Sequence, residues 1–412
     1  MRPLYLDHLA TTPCDARVVQ ALLPYLTESF GNAGSRGHAY GWAADEAVKQ
    51  ARERVAALIG ATPREIIFTS GATEANNLAL KGAAEAGLPA GRHVITQVTE
   101  HRAVLAPVAV LEAVGFEVTR LPVDAWGRVD PAAVAAALRP STVLVSIMHA
   151  NNEIGTVQPI AEIGALCRAR GVLFHTDAAQ SAGKIPLDVK QLNVDLLSLS
   201  AHKIYGPKGV GALYVRHGQP RVQITAQLHG GGQERGLRAG TVPVHQVVGF
   251  GAAAELARVE GAAEAERLRG LRDGLQAAIT AALAGVRVNG HPTERLPGAL
   301  HLSFEGVDGS SLLPALRGLA LSTGSACMSD PPEPSHVLQA IGLAPAQVHT
   351  SLRFGLGRST TAAEVTEAAR QVVEAVQHLR AARSLRPGAS PVPQSLRQAG
   401  APGPGEDLSC SR

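Results

Sequence analysis

From residue 65 onward one pattern recurs along the chain: a short apolar run, a polar residue at its end, then apolar positions at helical spacing. EIIFTS (65–70) closes on Ser70 and is followed by the helical stretch GATEANNLALKGAAEAG. HVITQVTEH closes on His101 before a helix to about Val114, and VLVSIMHANNE closes on Asn151 and Asn152 before AEIGALCRARG. VLFHTDAAQ ends on Asp177 and Gln180, and DLLSLSAHK ends on Ser200, His202 and Lys203. Strands alternating with helices imply a mostly parallel sheet. In such a sheet the polar strand ends meet along one edge, where open α/β sheets bind ligands.

On either side of this repeat the pattern changes. Residues 4–6 read as a short strand before the polar turn DHLATTP, and 16–30 and 42–59 read as helices around the glycine-rich loop FGNAGSRGHAYG. Beyond GALYVR lies LHGGGQERGLRAGT (228–241), dense in glycine and charge, and then a helix-rich region over 246–284. A second α/β pattern follows: HLSFEG, a helix at SSLLPALRG, ALSTGSAC, a strand at SLRFGLGR, and a closing helix over 361–383. The expected division is a large domain over 16–255 and a smaller α/β domain over 256–384 against which residues 1–15 pack. Residues 385–412 hold five prolines (387, 391, 393, 402 and 404) among Gly and Ser, a composition that builds no packed core.

Of the 412 residues, 45% are apolar, enough for a large core, and the formal net charge is only +3. That small excess argues against broad nucleic-acid or membrane-surface binding. No apolar run is long enough to span a bilayer and the N-terminus lacks a signal core, so a cytosolic protein is expected. Cys14, Cys167, Cys327 and Cys410 form no CxxC pair and no Cys/His metal spacing, so free thiols are expected. Cys167 falls on an apolar helical position. Cys327 instead sits in STGSACMSDPPEPS, a loop composition.

Only six lysines are present: 49, 81, 184, 190, 203 and 208. Lys203, at a strand end before a Gly/Pro-rich turn, is a surface charge or a desolvated amine that holds a carbonyl cofactor as a Schiff base. Lys208 is its rival in the same turn. Asp177 is a helix cap or an acidic partner for a cofactor ring nitrogen. His101 is a satisfied strand-end residue or a proton carrier stacked on that ring. The helix opening at Gly71-Ala72-Thr73 suits a phosphate, with Ser200, His202 and Thr241 as further donors.

YLDHLATTP, FTSGATEANNLA, TEHRAVL, HANNEIGTVQ, HTDAAQS, SAHKIYGPKGVGALY, HGGGQERGLRAGT, STGSAC and RFGLGR run through nearly the whole chain. With them it resembles the cysteine desulfurases of the NifS/IscS type, class-V aminotransferase-like enzymes of fold type I that use pyridoxal 5'-phosphate. The resemblance implies a large domain with a mostly parallel seven-stranded sheet flanked by helices, and a smaller C-terminal α/β domain carrying the cysteine loop. It implies Lys203 as the Schiff-base lysine, Asp177 on the pyridine nitrogen, His101 over the ring, and Gln180 at the phenolic oxygen. Ala72, Thr73, Ser200 and His202 would surround the phosphate, with Thr241 reaching in from a second subunit of a homodimer. Asn152, also beside the cofactor, and Arg353 would hold the carboxylate of L-cysteine.

Cys327 would take the substrate sulfur as a persulfide, leaving alanine, and pass it to an acceptor such as an iron–sulfur scaffold. His101 is a candidate to deprotonate it. Cys327 is also a candidate transient ligand to iron. The length of its loop resembles the group of the family that serves iron–sulfur cluster assembly. Met328, Pro331 and Pro332 stand where that family usually has small polar residues. A selenocysteine lyase or another pyridoxal-phosphate enzyme shares the cofactor residues, and an aminotransferase has no need of Cys327. A non-catalytic docking scaffold needs none of Lys203, Asp177, His101 and Cys327.

Overall fold

The computed structural model describes residues 2–219, 221–323 and 334–384. Cys327 and the proline-rich tail lie outside the described residues. The strands are β1 (Leu4–Tyr5), β2 (Ile66–Thr69), β3 (His93–Gln97), β4 (Glu117–Leu121), β5 (Thr142–Ser146) and β6 (Leu173–Asp177). They continue with β7 (Leu196–Ser200), β8 (Gly211–Val215), β9 (Val286–Asn289), β10 (Ala299–Phe304), β11 (Leu319–Ala320) and β12 (Ser351–Gly355). Seven of them form the central sheet in the order β2-β8-β7-β6-β5-β3-β4.

All central pairings are parallel except those of β8, which runs antiparallel to both β2 and β7. The cause is the β7–β8 connection: Ala201–Val210 carries only a short 3-10 turn, Ala201–Lys203, and no crossover helix to return the chain. That same connection places Lys203 at the sheet edge. β4, which the apolar pattern does not announce, is the edge strand EVTRL. Its Glu117 and Arg120 face outward and pair with Arg139 and Glu112.

Where the sequence predicts one helix over 16–30, two occur, Ala16–Leu22 and Pro24–Thr27. Pro24 has no N–H to continue the first. The next helix begins at Ala39 rather than 42, because His38 Nδ1 accepts from Gly41 N (3.2 Å) and caps it. The loop before it is correspondingly shorter than 30–41. Gly31 packs on this helix start so closely that a Cβ would fall 2.0 Å from the Tyr40 carbonyl oxygen.

Helix Val244–Ala282 runs 39 residues and contains residue 255. Its first half buries Val247, Phe250 and Ala254 in the core under the central sheet, with Phe68 and Phe174. Its second half buries Leu268, Leu275 and Ile279 in another core with Leu300, Phe354 and Val372. That core lies on the antiparallel sheet β12-β10-β9, and β1 joins it by pairing in parallel with β11. Each fully buried aliphatic side chain contributes about 1.5–3 kcal/mol, so one rigid rod ties the two cores. No helix among the described residues is long and apolar enough to cross a membrane.

Candidate active site

The carboxyl ends of β6 and β7 open on a cavity of ≈ 460 Å³. Ala72, Thr73, His101, Asn152, Asp177, Gln180, Ser200, His202, Lys203 and Arg353 all line it, as does Lys208. Thr241 is exposed and does not line it within one chain.

Lys203 is half-buried, and its Nζ donates to the carbonyl oxygens of Leu9 and Ala10, 2.6 Å each. Burial, aided by the Arg353 charge, pushes its pKa down to about 8, while Asp177 and Asp7 pull the other way. This amine therefore gives up its proton nearer neutral pH than an ordinary lysine does. Lys208, by contrast, stands exposed to solvent.

Asp177, at the end of β6, accepts from Asn76 Nδ2 (2.7 Å) and from the Ala179 backbone N–H (2.9 Å). Beside it, Glu100 is fully buried; burial, with the Asp177 charge adding to it, raises its pKa to about 8. Glu100 accepts from Met148 N (2.7 Å). Glu100 and Asn76 are site residues that sequence reasoning missed. A glutamate within TEH reads as a solvated strand end, and Asn76 reads as a polar position inside an amphipathic helix.

His101 is not a strand residue. β3 ends at Gln97, and His101 caps helix Arg102–Ala113, its Nδ1 accepting from Ala103 N (3.0 Å). A neutral ring with Nδ1 so occupied carries its proton on Nε2. Crowding by protein atoms lowers its pKa, opposed by Asp177 and reinforced by Lys203, His336 and Arg102. Helix Ala72–Ala86 starts at Gly71 with no capping side chain, and Ala72, Thr73 and Glu74 of its first turn line the cavity. Its unpaired N–H groups there suit an anion. His202 adds a ring whose pKa burial and the nearby lysines lower to about 4, so that it is a neutral donor.

Arg353, on β12, is 1% exposed. Its Nη1 donates to Asn152 O (3.0 Å) and its Nη2 to Asp7 Oδ1 (2.9 Å). Its salt bridge and its place on the cavity wall therefore coexist. Asp7, the second partner that sequence reasoning missed, also accepts from Ser322 Oγ (2.9 Å). Asn151 is structural: its side chain spans Thr99 O and the N–H groups of Glu153 and Ile154.

Residues 4–367 match the aminotransferase class-V family. The chain belongs to that family. It is 58% identical over 378 residues to a cysteine desulfurase IscS of Anaeromyxobacter sp. (strain Fw109-5), covering 92% of this chain and 93% of the relative. It is 53% identical over 387 residues to a human cysteine desulfurase, covering 94% of this chain and 84% of that one. Among solved structures, a NifS-like protein aligns with a TM-score of 0.85 at 37% identity, over 92% of this chain and 100% of that one. SspA in complex with cysteine aligns with a TM-score of 0.76 at 39% identity, over 86% and 98%.

The family depends on pyridoxal 5'-phosphate, and the cavity fits that group on its own chemistry. It offers a depressed lysine amine, a carboxylate at a strand end, and an uncapped helix start for a phosphate. Among the described residues, no group of three or more His, Cys, Asp or Glu is arranged to hold a metal ion.

Proposed function

We propose that this chain is a cysteine desulfurase: it binds pyridoxal 5'-phosphate in the ≈ 460 Å³ cavity and removes the sulfur of L-cysteine, leaving L-alanine. The observation that carries this reading is the half-buried Lys203 amine sharing one cavity with Asp177 and Arg353. When bound, the cofactor withdraws electrons from the substrate α-carbon. Lys203 holds the cofactor and moves the proton at that carbon. Asp177, oriented by Asn76, keeps the ring nitrogen protonated. Ala72, Thr73, Ser200 and His202 take the phosphate, joined by Thr241 from a second subunit. Gln180 meets the ring oxygen and His101 faces the ring with Nε2–H. Arg353, fixed by Asp7, takes the substrate carboxylate through its remaining N–H groups, with Asn152 beside it.

Cys327 supplies the thiolate that attacks the substrate sulfur. The substrate C–S bond breaks, an S–S bond forms on Cys327, and the carbon takes a proton to become alanine. Segments on both sides of this cysteine are fastened around the cavity: Ser322 on Asp7, Ser335 on Glu153, and His336 on the Glu100 carbonyl. Neutral His101 holds its own proton on Nε2, which favours it as a donor over a base for Cys327. A homodimer is supported by exposed aromatic side chains: Phe30 and Tyr40, whose tilted rings lie 5.4 Å apart, and Trp42 on the same helix as Tyr40. The persulfide sulfur then goes to an acceptor such as an iron–sulfur scaffold.

Incubation with L-cysteine followed by mass spectrometry tests this reading. One added sulfur on Cys327 and one alanine per turnover are expected. Cys327→Ala should keep the visible band of the bound cofactor and form no alanine. Alanine formation persisting in that variant would overturn the persulfide step, and an amino-group transfer product would favour an aminotransferase.

A further inference from the structure

A second lysine stands behind the cavity, and the proposed reaction gives it no task. Lys184 Nζ donates to Gln180 Oε1 at 3.2 Å, four residues earlier in the turns after β6. Gln180 Nε2 donates to Leu9 O at 2.9 Å, and the same Leu9 oxygen accepts from Lys203 Nζ. The two amines are thus the ends of one hydrogen-bonded chain, Lys184 to Gln180 to Leu9 to Lys203. Chemistry leaves the Gln180 amide a single orientation. The Leu9 carbonyl can only accept, so a flipped amide would set its oxygen against the Leu9 oxygen, and the orientation that keeps this bond presents the amide oxygen to the Lys184 amine. Gln180 is 5% exposed and lines the cavity, and Leu9 uses only one of its N–H groups. The other is the edge left to offer a ligand.

We propose that Lys184 is a positioning residue of the cofactor site: it locks the Gln180 carboxamide with its free N–H toward the ring oxygen of pyridoxal phosphate. It thereby favours the form of the cofactor that carries negative charge on that oxygen. The inference rests on the cofactor reading above. The charged groups acting on Lys184 are Lys203, Glu264 and Arg353, and His8 lies beside it. Burial, with Lys203 next in size, lowers its pKa to about 7, and both ring nitrogens of buried His8 lack partners. A small cavity of ≈ 20 Å³ between His8, Lys184, Tyr205 and Glu264 has room for a single water. Among the described residues, Lys184 is held by Gln180 and by no direct ion pair.

The test is a pH titration of the visible absorbance of the full-length protein loaded with pyridoxal phosphate. Losing the locked donor disfavours the unprotonated cofactor, so the midpoint should rise. In Lys184→Met it should rise by up to about one pH unit, the size expected for one hydrogen bond to a charged group, with Leu9 still holding the amide. Lys184→Arg, which keeps a donor, should restore the wild-type midpoint. Gln180→Ala should give a similar rise, and the double variant no further rise, because both changes cut one contact. A midpoint unmoved in Lys184→Met, or additive shifts in the double variant, overturns the proposal. If Lys184→Met does not fold, an unmoved midpoint in Gln180→Ala overturns it equally. A wild-type protein that takes up no pyridoxal phosphate overturns the cofactor reading itself, an outcome distinct from the others.

Discussion

Glu100 and Asp177 show how two carboxyl groups a few residues from the same cavity are given different tasks. Asp177 receives two N–H donors, one from Asn76 and one from the Ala179 backbone. Glu100 is wholly buried and accepts from Met148 N. Burial holds its proton, with a pKa raised from 4.5 to about 8. The sign of the pH effect follows. Below pH 4.5 both folded and unfolded chains carry this proton. Between 4.5 and about 8 only the folded chain does, so stability from this group is lost as pH rises through that window. Glu100→Gln cannot ionise and removes that loss. Its stability relative to the wild type, measured by urea unfolding, should improve steadily from pH 5 to pH 8. A constant difference across that range would mean Glu100 is charged in the folded protein.

At the scale of elements, the site depends on how closely β8 approaches the helix that starts at Ala72. Gly211 begins β8, and a Cβ there would lie 2.4 Å from the Leu199 carbonyl oxygen and 2.7 Å from the Gly71 backbone. Neither neighbour is a flexible side chain. Gly211→Ala must therefore push the helix start away from β7, at a cost of about 1–3 kcal/mol. Because Ala72 and Thr73 line the cavity at its proposed phosphate end, the same shift should weaken pyridoxal-phosphate affinity. Equilibrium dialysis should show faster cofactor loss from this variant than from wild type, whereas equal retention would separate β8 packing from the site.

For the whole molecule, two observations bear on the proposed assembly: large aromatic side chains are exposed, and Thr241 lies outside its own chain's cavity. Trp42 is 60% exposed and Phe30 65%, large apolar areas that a solitary chain leaves in water. Trp42→Glu puts a charge into the proposed subunit contact. Analytical ultracentrifugation should find the wild type as a dimer and this variant shifted toward monomer. Cofactor affinity should fall with it as Thr241 is withdrawn. A variant that stays dimeric, or a monomeric one with unchanged affinity, would place the interface elsewhere.

The alternation of apolar runs and helical stretches was enough to determine the mostly parallel sheet, because burial of both sheet faces demands that pattern. Polar residues at the ends of those runs, with Lys203 among few lysines, were enough to pick out side chains that line one cavity. The antiparallel β8, the break at Pro24 and the edge strand β4 are local matters, each traceable to one connection, one missing N–H or one exposed face. What only the tertiary structure decided is which polar groups act on one another. Asp7 and Arg353, 346 positions apart in the chain, pair at 2.9 Å. Asn76 meets Asp177 across the sheet, and Leu9 joins Gln180 to Lys203. Desolvation and charge coupling act through space, over distances of up to about 10 Å rather than along the chain. The proton affinities of Lys203, Glu100 and Lys184 therefore depend on neighbours that no spacing along the chain reveals.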